Sequence, residues 1–283
     1  MDRADRLRSA RDRVLANRAV SVPVLTARRF FEIGGLRKAS LLAFNLFICV
    51  IPLAIIGFAA VSSFRRNVDL GNLMVTTFEL KGETAQIVRD TFASNRSILR
   101  VASIIAVISF AVSGFDAASA FQATFAEAWR VDPVRGWRGA LRGAAWFVLV
   151  FGTFAMGLIL QRVSSRHWYG FLIAVPLVAL VNFAFWNLTP RLMLAKHLDR
   201  EDLRPGAIIG MLSSTALWGV ALIVLPGWFD WYGRGFGAIG IALALLSWTY
   251  VVAIVWVATV VAFAAWWEKT ATADEVVDLV GSD

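Results

Sequence analysis

Cysteine is nearly absent, with Cys49 the single one in 283 residues. That excludes an intrachain disulfide and any cysteine metal cluster. Histidine is almost as scarce. His167 and His197 lie on separate connectors, and neither has a partner at metal-ligand spacing. There is no phosphate-binding P-loop and no GxSxG nucleophile elbow. The sequence therefore reads as a non-enzyme, with no cofactor and no metal. Charge is also thin, at 17% of residues against 58% hydrophobic, and mean hydropathy is +0.66. That balance excludes an ordinary soluble domain.

What the chain has instead is six long apolar stretches separated by arginine-rich connectors. The clearest is 39–61, flanked by Arg37-Lys38 and Arg65-Arg66 with no charge between. About 20 residues of helix match the hydrocarbon thickness of a bilayer. The others are 99–121, 144–160, 169–188, 206–226 and 238–267. Lipid cannot hydrogen-bond the backbone, so only helices or closed barrels span it, and continuous rather than alternating apolar runs select helices. The fold class is all-α: a polytopic membrane bundle of six transmembrane helices with short amphipathic interfacial helices.

The net charge of +8 has a topological explanation rather than a nucleic-acid one. Of the 28 Lys and Arg, 19 fall on one side of the spans and nine on the other. The excess marks the cytoplasmic side and places both termini there. Residues 1–38 form a basic cytoplasmic arm, with membrane lipids as its expected partners. Within it, 24–36 sets Val24, Leu25, Phe31 and Ile33 against Arg28, Arg29 and Glu32, which predicts an interfacial helix. No cleavable signal peptide is expected, because a charged segment without an apolar core precedes the first span. The transmembrane domain covers 39–267, and 268–283 is an acidic cytoplasmic tail. The periplasmic segment 65–98 repeats apolar residues at helical spacing on either side of Lys81-Gly82, predicting two short amphipathic helices. Several of the 12 tryptophans, including Trp129, Trp137, Trp231 and Trp267, stand near span ends, as in an interfacial belt.

Polar residues inside spans are the candidate functional groups. Pro52 removes a backbone donor, so a kink is expected near Ile48, one that exposes Asn45 to a cavity. Asp116 is the one carboxylate well inside a span, about one turn from its cytoplasmic end. Tyr250 adds a hydroxyl to the sixth span. A cavity between the first, second and sixth spans, lined by Asn45, Pro52, Asp116 and Tyr250, is the expected site. The run Gly235-Phe236-Gly237-Ala238-Ile239-Gly240 spells GxGxxG, but no βαβ unit surrounds it. It reads as a turn with small residues for close packing, as does the GxxxG of Gly206 and Gly210.

The first span, Ala39-Ser40-Leu41-Leu42-Ala43-Phe44-Asn45-Leu46-Phe47-Ile48-Cys49-Val50-Ile51-Pro52, resembles the signature of the YihY/BrkB family of bacterial inner-membrane proteins. Asp202-Leu203-Arg204-Pro205-Gly206-Ala207 resembles that family's entry into the fifth span, and the stretch from Phe236 with Trp248 and Tyr250 resembles its sixth. Thr259-Val260-Val261 stands where the family often has Gly-Ala-Glu, so no role for that carboxylate carries over. The resemblance implies six spans and a bacterial plasma-membrane location, without a defined activity. The expectation is a transport-like or envelope-maintenance protein handling a lipidic or anionic solute. The alternative is a non-transporting scaffold for the envelope or a partner complex.

Overall fold

The structure, a computed structural model, describes residues 18–64, 86, 96–134, 136–164, 170–194 and 200–270. These form helices α1 (Arg18–Glu32), α2 (Gly35–Phe64), α3 (Arg96–Trp129), α4 (Gly136–Ser164) and α5 (Gly170–Met193). The last helical stretch, Arg200–Thr270, breaks at Gly237. It gives α6 (Leu203–Gly237) and α7 (Ile239–Lys269). Among the described residues there is no strand. Five helices, α3 to α7, are each long and apolar enough to cross a membrane, and the bent pair of α1 and α2 brings the number to six if it is taken as one span. Most of 65–98 and all of 1–17 lie outside the described residues, so the two short helices expected there are not seen.

The helices overrun the apolar stretches because backbone hydrogen bonding continues into the polar layer. α3 runs on to Trp129, two turns past the expected end. At that end of the bundle, here called the basic end, ion pairs tie the elements together. Arg29, itself buried, lies 2.8 Å from Glu268, and Arg130 lies 3.6 Å from the same carboxylate. Lys38 pairs with Glu127. Glu268 thus joins α1, the loop after α3 and the end of α7. Arg130 adopts φ 54° at the C-terminus of α3, and the Val131 amide donates to the Ala126 carbonyl at 2.9 Å. This is a Schellman-type stop, made without the usual glycine.

α1 is amphipathic and lies across the end of the bundle, packed on α7. Its apolar residues divide between two surroundings. Val22, Phe30 and Ile33 are buried, while Val24 and Phe31 point outward, as suits a helix held between protein and lipid interface. The chain then bends by 71° into α2. The bend falls at Gly34, which supplies φ 65°. The kink expected near Ile48 is not where the chain turns. α2 continues as one helix through Ile48–Pro52, with Pro52 buried inside it. A proline deletes one intrahelical bond, whereas a left-handed glycine reverses the backbone torsion outright.

α6 and α7 pack antiparallel, joined by a corner at Gly237 (φ 58°, ψ −136°). A β-carbon on Gly240 would overlap the Tyr232 carbonyl. The GxGxxG run is therefore a helix corner. In the same way, a β-carbon on Gly206 would overlap the Phe263 ring of α7, and one on Gly210 the Trp186 indole of α5. Of the end tryptophans, Trp137 and Trp231 are exposed as a belt requires. Trp129 and Trp267 are instead buried, with Trp129 packed against both Phe263 and Trp267.

Gly210→Ala should lower the thermal midpoint by an amount corresponding to about 1–3 kcal/mol, the usual cost of overpacking. Gly219→Ala, where a β-carbon meets nothing within 4 Å, should be neutral or slightly stabilising. Equal midpoints for the two variants in detergent would contradict the close packing of α6 on Trp186.

Candidate functional site

α6 is held tightly along its first half only. Leu203, Gly206, Ala207 and Gly210 are buried. Three hydrogen bonds follow within two turns. The Trp186 indole donates to Ser214 Oγ at 2.8 Å. The Asn182 amide donates to Thr215 Oγ1 at 3.2 Å. Ser213 Oγ and Thr259 Oγ1 lie 3.0 Å apart. Beyond Gly210, no described side chain is buried until Gly240. Only 6% of the apolar stretch of α6 is buried, against 28 to 33% in α3, α4, α5 and α7. Pro226 interrupts the hydrogen bonding of this second half.

The standing-off half of α6 leaves a partly open cavity of about 380 Å³ between α4, α5, α6 and α7. Its size is that of a small-ligand site. The lining is mainly aliphatic and aromatic, including Phe154, Leu217, Ala221 and Trp248. The polar groups that face it are uncharged: Thr153, Asn182 and Ser214 with the tryptophan indoles. All three are already engaged, Asn182 through its bond to Thr215. Thr153 donates to the Leu149 carbonyl at 2.8 Å, and Ser214 accepts from Trp186. Asn182 keeps its amide oxygen and one N–H in reserve. The site can hold an apolar body and one or two hydrogen-bonding groups. It offers no charge to an anion.

Toward the basic end the cavity is closed by rings. Trp256 and Phe185 line it, and their centroids lie 5.5 Å apart. Behind them, Phe121 stacks on Trp146 at 4.6 Å, and Trp146 and Trp186 each meet Trp256 edge-on. The Trp146 indole N–H is buried without a hydrogen-bond partner. Such offset and edge-to-face arrangements hold rings together beyond their area burial.

None of the four residues singled out in the sequence lines this cavity. Tyr250 is half-buried and packs against the core. Asn45 is half-buried and Pro52 buried on α2. Asn45, Cys49 and Pro52 share one face of that helix by their spacing. Asp116 is within electrostatic range of Cys49, so α2 and α3 bring three of the four toward one seam. Asp116 itself is exposed on the outside of the bundle, beside exposed Val112 and Phe115. It is also deeper than one turn. It precedes Glu127 by about three turns, roughly 16 Å of helix. Of the cavity's polar residues, Asn182 was legible as an amide inside a span. Thr153 and Ser214 carried no signal beyond a hydroxyl in an apolar run.

The profile of the virulence factor BrkB family matches residues 26–276. A UPF0761 membrane protein of Stenotrophomonas maltophilia strain K279a is 26% identical over 267 residues, and a UPF0761 membrane protein of strain R551-3 is likewise 26% identical. Each match covers 88% of this chain and 60% of the relative, so the chain spans about three fifths of those proteins. No solved structure matches it. The family match covers nearly the whole bundle, from α1 through α7, and the chain belongs to the virulence factor BrkB family of membrane proteins.

Proposed function

We propose that this is a transport-like membrane protein that takes a lipidic solute into the cavity between α4, α5, α6 and α7. The observation that carries the reading is the cavity itself: apolar, partly open, and lined by uncharged polar groups. It favours a lipidic solute over an anionic one, because burying an anion there would leave its charge unpaired. The loosely held half of α6 supports entry from the bilayer, since few contacts resist its displacement. The aromatic plug around Trp256 and Trp146 favours a second reading, in which the protein holds a lipid from one side as a non-transporting envelope scaffold. In both, the basic end faces the cytoplasm of a bacterial inner membrane.

The test is photolabelling with a diazirine-bearing lipid, compared between the parent chain and Ala221→Trp, which fills the cavity. Labelling of α5 and α6 peptides should fall several-fold in the variant, and complementation of a deletion strain's envelope phenotype should be lost. Unchanged labelling would remove the cavity as a binding site. Lost labelling with full complementation would show that function does not depend on a lipid in the cavity, against both readings.

Asp116 supplies an independent prediction. A charged side chain at mid-membrane costs about 2.5–3.5 kcal/mol on insertion scales, so such residues persist where they are used. No hydrogen bond or ion pair ties Asp116 in place among the described residues. Asp116→Asn is therefore expected to leave abundance in membranes unchanged and to impair complementation. Full complementation would free the function from this carboxylate. For the orientation, a reporter active only in the periplasm, fused after Lys269, should be silent. An active reporter there would invert the assignment.

A further inference from the structure

The entry of α4 presents a surface that neither the cavity nor the bundle's packing uses. Its first residues are Gly136-Trp137-Arg138-Gly139-Ala140-Leu141-Arg142. The inner face is docked. Gly139 and Gly143 are buried, and Gln122 of α3 donates to the Gly139 carbonyl at 3.0 Å. The outer face pairs residues four apart, Trp137 with Leu141 and Arg138 with Arg142. Trp137 is 72% exposed and Leu141 62%. The same face continues inward to Val148, which is 71% exposed.

Two cations stand one turn apart at this entry, and a third is on the neighbouring α5. The Arg138 guanidinium lies 5.8 Å from the centroid of the Trp137 ring. Arg142 Nη1 donates to the Leu194 carbonyl at 2.9 Å, just past the end of α5. That contact brings the entry of α4 against the last turn of α5, where half-buried Arg191 stands. Elsewhere at this end, Arg28, Arg29, Lys38 and Arg130 are ion-paired, whereas the exposed Arg37, Arg204 and Lys269 have no ion pair among the described residues. Arg138, Arg142 and Arg191 have no ion pair among the described residues. Asp132, exposed in the loop before α4, does not reach them.

We infer that this surface binds an anionic phospholipid of the adjoining leaflet. The phosphate meets the forks of Arg138 and Arg142, with Arg191 beside them, and an acyl chain follows Leu141 and Val148. Guanidinium matches phosphate geometry with paired donors. Trp137 sits at the headgroup level, where an amphipathic ring belongs. Basic recesses between helix ends hold such headgroups in membrane proteins generally. This site is separate from the cavity and stands or falls without it.

The test is native mass spectrometry of the detergent-solubilised chain titrated with phosphatidylglycerol or phosphatidylcholine of the same chain length. Phosphatidylglycerol should bind about tenfold more tightly. Arg138→Gln should weaken it by about fivefold, the effect of roughly one basic residue near a headgroup. Arg191→Gln should act in the same direction. Arg28→Gln, which removes an exposed cation already paired with Glu32, should leave binding unchanged. Arg142→Gln also loses the bond to Leu194, so the inference rests on the other two variants. Equal binding of the two lipids, or equal effects of Arg138→Gln and Arg28→Gln, would overturn it. Full competition by millimolar inorganic phosphate would assign the surface to a free anion and overturn the lipid.

Discussion

Helices in a bilayer gain little by hiding apolar side chains from one another, because lipid is as apolar as leucine. What joins them is close packing and hydrogen bonding. The junction of α6 with α5 and α7 is where this constraint acts most visibly. Gly210 lets the α6 backbone rest against the Trp186 indole, and the same indole donates to Ser214 one turn later. Gly206 does the equivalent against Phe263. A side chain at either glycine would push α6 outward, and the polar bonds of Asn182 and Ser213 would go with it.

The rest of the molecule follows from where that grip ends. Past Thr215 the second half of α6 carries Pro226, meets α7 edge-on through Trp228 and Trp248, and has no described buried side chain. The helix separates from α4 and α5 there, and the space between them is the cavity. Its floor is Trp256, held by Phe185 and the rings around Trp146. One half of the bundle is thus a dense aromatic body and the other an open apolar cleft. The two halves differ in packing, although the sequence is apolar throughout both.

At the basic end a different force operates. Charges there meet water and headgroups, so ion pairs can form without full desolvation. Glu268 takes Arg29 and Arg130 from two other parts of the chain, fastening α1 across the helix ends. Arg138, Arg142 and Arg191, on α4 and α5, carry no ion pair among the described residues, and neither do the exposed Arg37, Arg204 and Lys269. Pairing within the protein and pairing with lipid are alternatives for any one guanidinium.

The sequence by itself determined the six spans, the basic end and the amphipathic α1, because each rests on a contrast between apolar and charged residues that the chain spells out. It also determined that Gly206, Gly210 and the GxGxxG run serve packing and a corner, since no strand surrounds them. Only the tertiary structure decided which way each span faces. In water a helix marks its buried face by the change from apolar to polar side chains. In lipid both faces are apolar, and that mark disappears. Hence Asp116, deep in a span, looked like a lining residue and stands on the outside of the bundle, while Thr153 and Ser214, unremarkable in the sequence, line the cavity. The seam near Asp116 and the cavity near Asn182 are set by the rotation of α3 and α5 about their axes, which neighbouring helices impose.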